Sequence, residues 1–78
     1  SYIRTDYDRS ELRVDRRVPY LDLRFDYAVR EVTITVRGSA TRLGVAGAEG
    51  WNATCNGKSL AAENISTDGP LTVFSLTP

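Results

Sequence analysis

The sequence predicts a small all-β domain, an antiparallel β-sandwich or barrel of about six to seven short strands. Three observations carry that prediction. Apolar and polar residues alternate with a period of two through several segments. Turn-forming Gly, Pro, Asn and Asp interrupt those segments at intervals of roughly 8–12 residues. No stretch carries the apolar stripe of an amphipathic helix.

Residues 1–18 are the least patterned and read as a linker or an edge strand. Within them Leu12 and Val14 alternate with Glu11, Arg13 and Asp15, a weak strand that ends before Pro19. Proline has no N–H to donate, so it suits an edge or a strand entry. The clearest strand is Tyr20–Tyr27, where Leu21, Leu23, Phe25 and Tyr27 alternate with Asp22, Arg24 and Asp26. One face of it belongs in a core and the other in water. Glu31–Arg37 repeats the pattern, with Val32, Ile34 and Val36 on one side, and pairs with its predecessor as a hairpin through Ala28–Arg30.

Gly38 breaks that strand, and Thr41–Ala46 offers a short one in which Leu43 and Val45 share a face. Gly47 and Gly50 make the next break. Trp51, Ala53 and Cys55 then alternate up to Asn56-Gly57, and Lys58–Leu60 leads away. Asn-Gly between extended runs predicts a two-residue hairpin, because both central residues of a type I′ turn need positive φ. Residues 60–65 admit a single helical turn, ended by Ser66–Pro70, and Leu71–Leu76 is a final strand rich in β-formers.

The bulk composition bounds the rest. A chain of 78 residues is a single domain with a thin core. With 41% hydrophobic and 26% charged residues it is apolar enough to fold. It contains no Met, so residues 1–78 are expected to be processed or excised from a larger protein. No apolar run is long enough for a membrane span. The single Cys55 excludes an internal disulfide. Basic and acidic residues balance at ten each, but residues 1–37 hold eight Arg and seven acids. That density reads as a salt-bridged sheet surface, since the planar Arg fork matches carboxylates on neighbouring strands.

Histidine is absent, which removes the commonest general base and metal ligand together. No enzymatic activity and no cofactor are expected. Cys55 is in phase with Trp51 and Ala53 and reads as a small core residue rather than a nucleophile. Carboxylate pairs such as Asp6 with Asp8, or Asp22 with Asp26, share a strand face, but interleaved Arg makes ion pairing simpler than calcium binding or acid–base catalysis. Gly44, Gly47 and Gly50 match neither a P-loop nor a dinucleotide fingerprint. No metal site is expected.

Two further features concern binding. Asn52-Ala-Thr54 and Asn64-Ile-Ser66 are glycosylation sequons, and they favour an extracellular setting. Trp51 has two readings: a platform on which a sugar ring stacks, with Tyr2, Tyr7 or Tyr20 nearby, or the central packing residue of a thin core. The second is the simpler.

Val32-Thr-Ile-Thr-Val36-Arg-Gly38, then Trp51-Asn-Ala-Thr-Cys-Asn-Gly-Lys58 and a closing Leu71-Thr-Val-Phe-Ser-Leu76, resemble the C-terminal β-sandwich accessory domain of glycoside hydrolases and polysaccharide lyases. The resemblance covers residues 31–76 and implies a noncatalytic partner of a carbohydrate-processing protein, packed against a neighbouring domain or another subunit. No functional residue carries over from it. Two other classes stay open: a glycan- or protein-binding β module using exposed aromatics, and a nucleic-acid-binding barrel using Arg13, Arg16, Arg17, Arg24 and Arg30. Seven acids in the same segment argue against the last.

Overall fold

A computed structural model describes residues 2–4, 11–14, 20–38 and 41–76. Among these residues the chain forms β1 (Tyr2–Arg4), β2 (Glu11–Val14), β3 (Tyr20–Asp26), β4 (Glu31–Arg37), β5 (Thr41–Ala46), β6 (Asn52–Cys55), β7 (Lys58–Ser59), a 3-10 turn (Ala62–Asn64), β8 (Ile65–Asp68) and β9 (Leu71–Leu76). The protein is a small all-β sandwich. One sheet has the order β1-β2-β5-β9-β8 and the other β3-β4-β6-β7. Seven of the nine described strands have four residues or more, and the short β1 and β7 account for the excess over the expected count.

The alternation of the sequence becomes the two sides of each sheet. Val32, Ile34 and Val36 of β4, with Ala53 and Cys55 of β6, meet Leu43 and Val45 of β5 and Phe74 and Leu76 of β9 in one core cluster. Five of its side chains, Phe74, Ile34, Leu43, Val32 and Val45, are completely buried. At about 1.5–3 kcal/mol for each large apolar side chain buried, this cluster is the main stabilising term.

The turns follow from backbone chemistry. Asn56 and Gly57 take φ of 51° and 83°, as a type I′ turn requires, and close the β6–β7 hairpin with Cys55 opposite Lys58. Gly50, at φ 76°, occupies the position of a type II turn that needs positive φ, with the Trp51 N–H donating to the Ala48 carbonyl at 3.1 Å. Gly69 and Pro70 join β8 to β9, Gly69 at φ 56°, in the order that suits a type II′ hairpin.

Two features differ from the sequence-based expectation. The turn-forming residues of Ser66–Pro70 predict a break, yet Ile65–Asp68 is a strand that pairs antiparallel with β9. Its exposed Ser66, Thr67 and Asp68 give no alternation to read, and its order comes from the partner strand. The sheets are also not purely antiparallel: β4 and β6 run parallel, Glu31 opposite Asn52 through Ile34 opposite Cys55. The cause is β5, which crosses to the other sheet between them, so the chain returns in the direction it left.

Where β6 turns away, the Asn56 side chain continues its ladder. The Val36 N–H donates to Asn56 Oδ1 at 2.9 Å, and Asn56 Nδ2 donates to the Val36 carbonyl at 3.1 Å. Its own N–H donates to the Ile34 carbonyl at 2.9 Å. A side-chain amide thus stands in for the next peptide of the strand.

Candidate functional site

Trp51 follows the type II turn and enters β6 with its ring in the core, 8% exposed. Phe25 meets it edge to face at 6.2 Å and Tyr27 at 5.2 Å, while Phe25 and Tyr27 stack at 6.3 Å. This geometry suits the aromatic quadrupole. It also removes the ring from the solvent-facing position that a sugar-stacking platform needs, which corrects that reading of Trp51. Tyr27, assigned to the core face from its alternation, lies in the β3–β4 turn and is 44% exposed. Past Asp26 the chain bends, because Asp26 Oδ1 accepts the Ala28 N–H at 3.0 Å and the Val29 N–H at 3.4 Å.

Tyr20 begins β3, at the other end from Tyr27, about 20 Å away along an extended strand. It is 45% exposed and lies under the Arg37 guanidinium, 5.4 Å from ring centre to Cζ. Tyr20 and Trp51 therefore do not share a site. Tyr2 belongs to β1, but its side chain, like all of Tyr7, lies outside the described residues.

Asn52 is exposed on the outward face of β6, and Asn64 is half-buried in the 3-10 turn. Asn64 also lines a hollow of about 210 Å³ with Cys55, Lys58, Ser59, Leu60 and Ala61. Cys55 at its base is buried. Asp22, Arg24 and Asp26 project together from β3, and among the described residues no group of three or more His, Cys, Asp and Glu side chains gathers to hold a metal. Of the five arginines considered for nucleic acid, Arg24 stands between Asp22 and Asp26, Arg30 closes the β3–β4 turn at φ 54°, Arg13 is described only as backbone in β2, and Arg16 and Arg17 lie outside the described residues.

The outward face of β3 and β4 departs from the salt-bridged sheet expected of it. Across the two strands Asp22 stands opposite Thr35, Arg24 opposite Thr33, Asp26 opposite Glu31 and Tyr20 opposite Arg37. No acid faces a base in this register, and one acid faces another. Composition supplied both signs, but the turn set the register and placed them out of step.

The inward face of β3 is equally distinct. Leu21, Leu23 and Phe25 pack on the core but are only half-buried, whereas Val32, Ile34 and Val36 beside them on β4 are buried. Among the described residues β3 is the edge of its sheet, and the core thins there. Half-covered apolar residues, a charged outer face and an edge seven residues long coincide on one strand. Sequence periodicity locates the strand but not its edge position, which depends on sheet order. No protein-family model matches the chain, and neither a curated protein nor a solved structure is significantly similar to it.

Proposed function

We propose that this chain is a noncatalytic accessory β-domain that works by docking against other protein surface, not by stacking glycan on an aromatic platform. The observation behind this reading is the use of the only Trp as core: Trp51 sits edge to face with Phe25 and Tyr27, while the half-covered apolar row lies along β3. An edge strand carrying such a row is a surface that protein partners use for strand addition. The resemblance of residues 31–76 to accessory sandwiches supports a carbohydrate-processing protein as the setting, with another domain or subunit supplying the chemistry.

Tryptophan emission tests this directly, since Trp51 is the only Trp in the chain. The expected spectrum is blue, resists acrylamide, and stays unchanged on titration with oligosaccharides. A red, readily quenched spectrum, or a shift on adding oligosaccharide, overturns the reading and makes this a glycan-binding module.

A further inference from the structure

Among the described residues four strands form the edges of the two sheets, and three of them are poor templates for pairing. β1 has three residues, β7 two, and β8 four, the last running straight into Gly69-Pro70. β3 differs from them. It is seven residues long, contains neither Gly nor Pro, points no charge inward, and pairs with β4 without a bulge from Tyr20 to Asp26. Proteins ordinarily protect an edge of that length with one of these devices.

Taking the docking reading above as given, we infer that the partner is a second copy of this chain, paired antiparallel along β3 about a two-fold axis at Leu23. The charge pattern of the strand selects both partner and register. In an antiparallel pair, opposed residues lie on the same face, so registers that set Leu21, Leu23 and Phe25 against Asp22, Arg24 or Asp26 are excluded. Of the face-matched registers, a shift one way puts Asp22 against Asp22, and a shift the other way puts Arg24 against Arg24 and Asp22 against Asp26. A further shift, about Phe25, sets Arg24 opposite Asp26 but pairs only three residues of the strand, so the centred register alone both alternates signs correctly and uses the strand throughout. It sets Asp22 opposite Arg24 twice, Tyr20 opposite Asp26 twice, Leu21 opposite Phe25 twice, and Leu23 opposite itself.

That register pairs all seven residues of β3 and joins the two four-stranded sheets into one. It also gives Asp22 and Arg24 opposite charges directly across from them, where β4 presents Thr35 and Thr33 and holds Arg37 and Glu31 only at the diagonal positions. Leu21, Leu23 and Phe25 become the middle of a longer apolar floor instead of its margin. The contact is isologous, so it closes as a dimer and leaves no second copy of the edge open.

Exchange of charge between the two positions tests partner and register together. Sedimentation velocity of the whole chain over a concentration series is expected to show a monomer–dimer equilibrium. Arg24→Asp and Asp22→Arg, each alone, turn two attractive cross-strand pairs into two repulsive ones and are expected to weaken the dimer about tenfold or more. Mixing these two variants one to one restores opposite charges across the axis and is expected to restore the dimer, as is the Asp22→Arg/Arg24→Asp double variant. Both positions are exposed, and the blue Trp51 emission checks that each variant is folded.

A wild-type chain that stays monomeric throughout, or single variants that dimerise as tightly as the wild type, overturn the inference. Dimers that form in the wild type but are not rescued by mixing overturn it too, since the contact then lies elsewhere. These results are separate from those of the oligosaccharide titration, so the docking reading survives a monomeric chain and fails on its own terms.

Discussion

The Asn56 bridge can be separated into its two physical parts by substitution. Asn56 occupies a left-handed turn position at φ 51°, and its amide satisfies both backbone groups of Val36 at 2.9 and 3.1 Å. Asn56→Gly keeps the turn and deletes the bridge. Each bond contributes about 0.5–1.5 kcal/mol net, so the expected loss is about 2 kcal/mol. Asn56→Ala deletes the bridge and adds the left-handed penalty of an ordinary side chain, about 1 kcal/mol more. Asn56→Asp keeps the acceptor for the Val36 N–H but sets a carboxylate oxygen against the Val36 carbonyl. It should not regain the wild-type value. A chain of 78 residues has a total stability of only about 4–12 kcal/mol, so a loss of this size is large. Urea unfolding followed by Trp51 fluorescence reads it, and a melting point lower by roughly 8–16 °C accompanies the Gly variant. Equal stability of Asn56→Gly and wild type would refute the bridge as a stabilising element and leave Asn56 a turn residue alone.

Two other expectations follow from the core. Ile34→Ala empties a fully buried position beneath the crossing of β5 and is expected to cost about 2–5 kcal/mol by chemical denaturation, whereas a loss under about 1 kcal/mol would mean that the sandwich does not close over β4. The Cys55 thiol, 4% exposed, is expected to react with a thiol-specific reagent at the rate of unfolding and to be freely labelled in urea; rapid labelling of the native protein would place it at an accessible wall of its hollow.

The sequence made some of this architecture plain and concealed the rest for identifiable reasons. β4 and β5 stand where alternation puts them, because one of their faces is buried and the period of two records it, and β9 stands where its β-formers put it. The β6–β7 turn was equally legible, since positive φ at two successive residues restricts the choice of residue so strongly. Ile65–Asp68 was not, because three of its four side chains face water and leave no record of pairing. Nor was the role of Trp51 decided by its own segment: what covers it, Phe25 and Tyr27, comes from a strand in a different part of the chain. The charges of β3 illustrate the same limit. Their signs were visible, yet their mismatch with β4 depends on a register fixed by the Asp26-led turn.

The crossing of β5 has a consequence for the order in which the chain assembles. The β3–β4, β6–β7 and β8–β9 hairpins each close over two to four intervening residues, so their formation costs little loop entropy and can begin independently. The β4–β6 pair is different, since Glu31 and Asn52 are opposite one another across 20 intervening residues that must visit the other sheet and return. That pairing is rewarded only once β5 is seated against β9, and the seating of β5 joins the two sheets. The sandwich is therefore expected to assemble from preformed hairpins and to become cooperative at one event, the return of the chain from β5. The Asn56 amide, reaching Val36 only after that return, acts as the latch that holds the closed state.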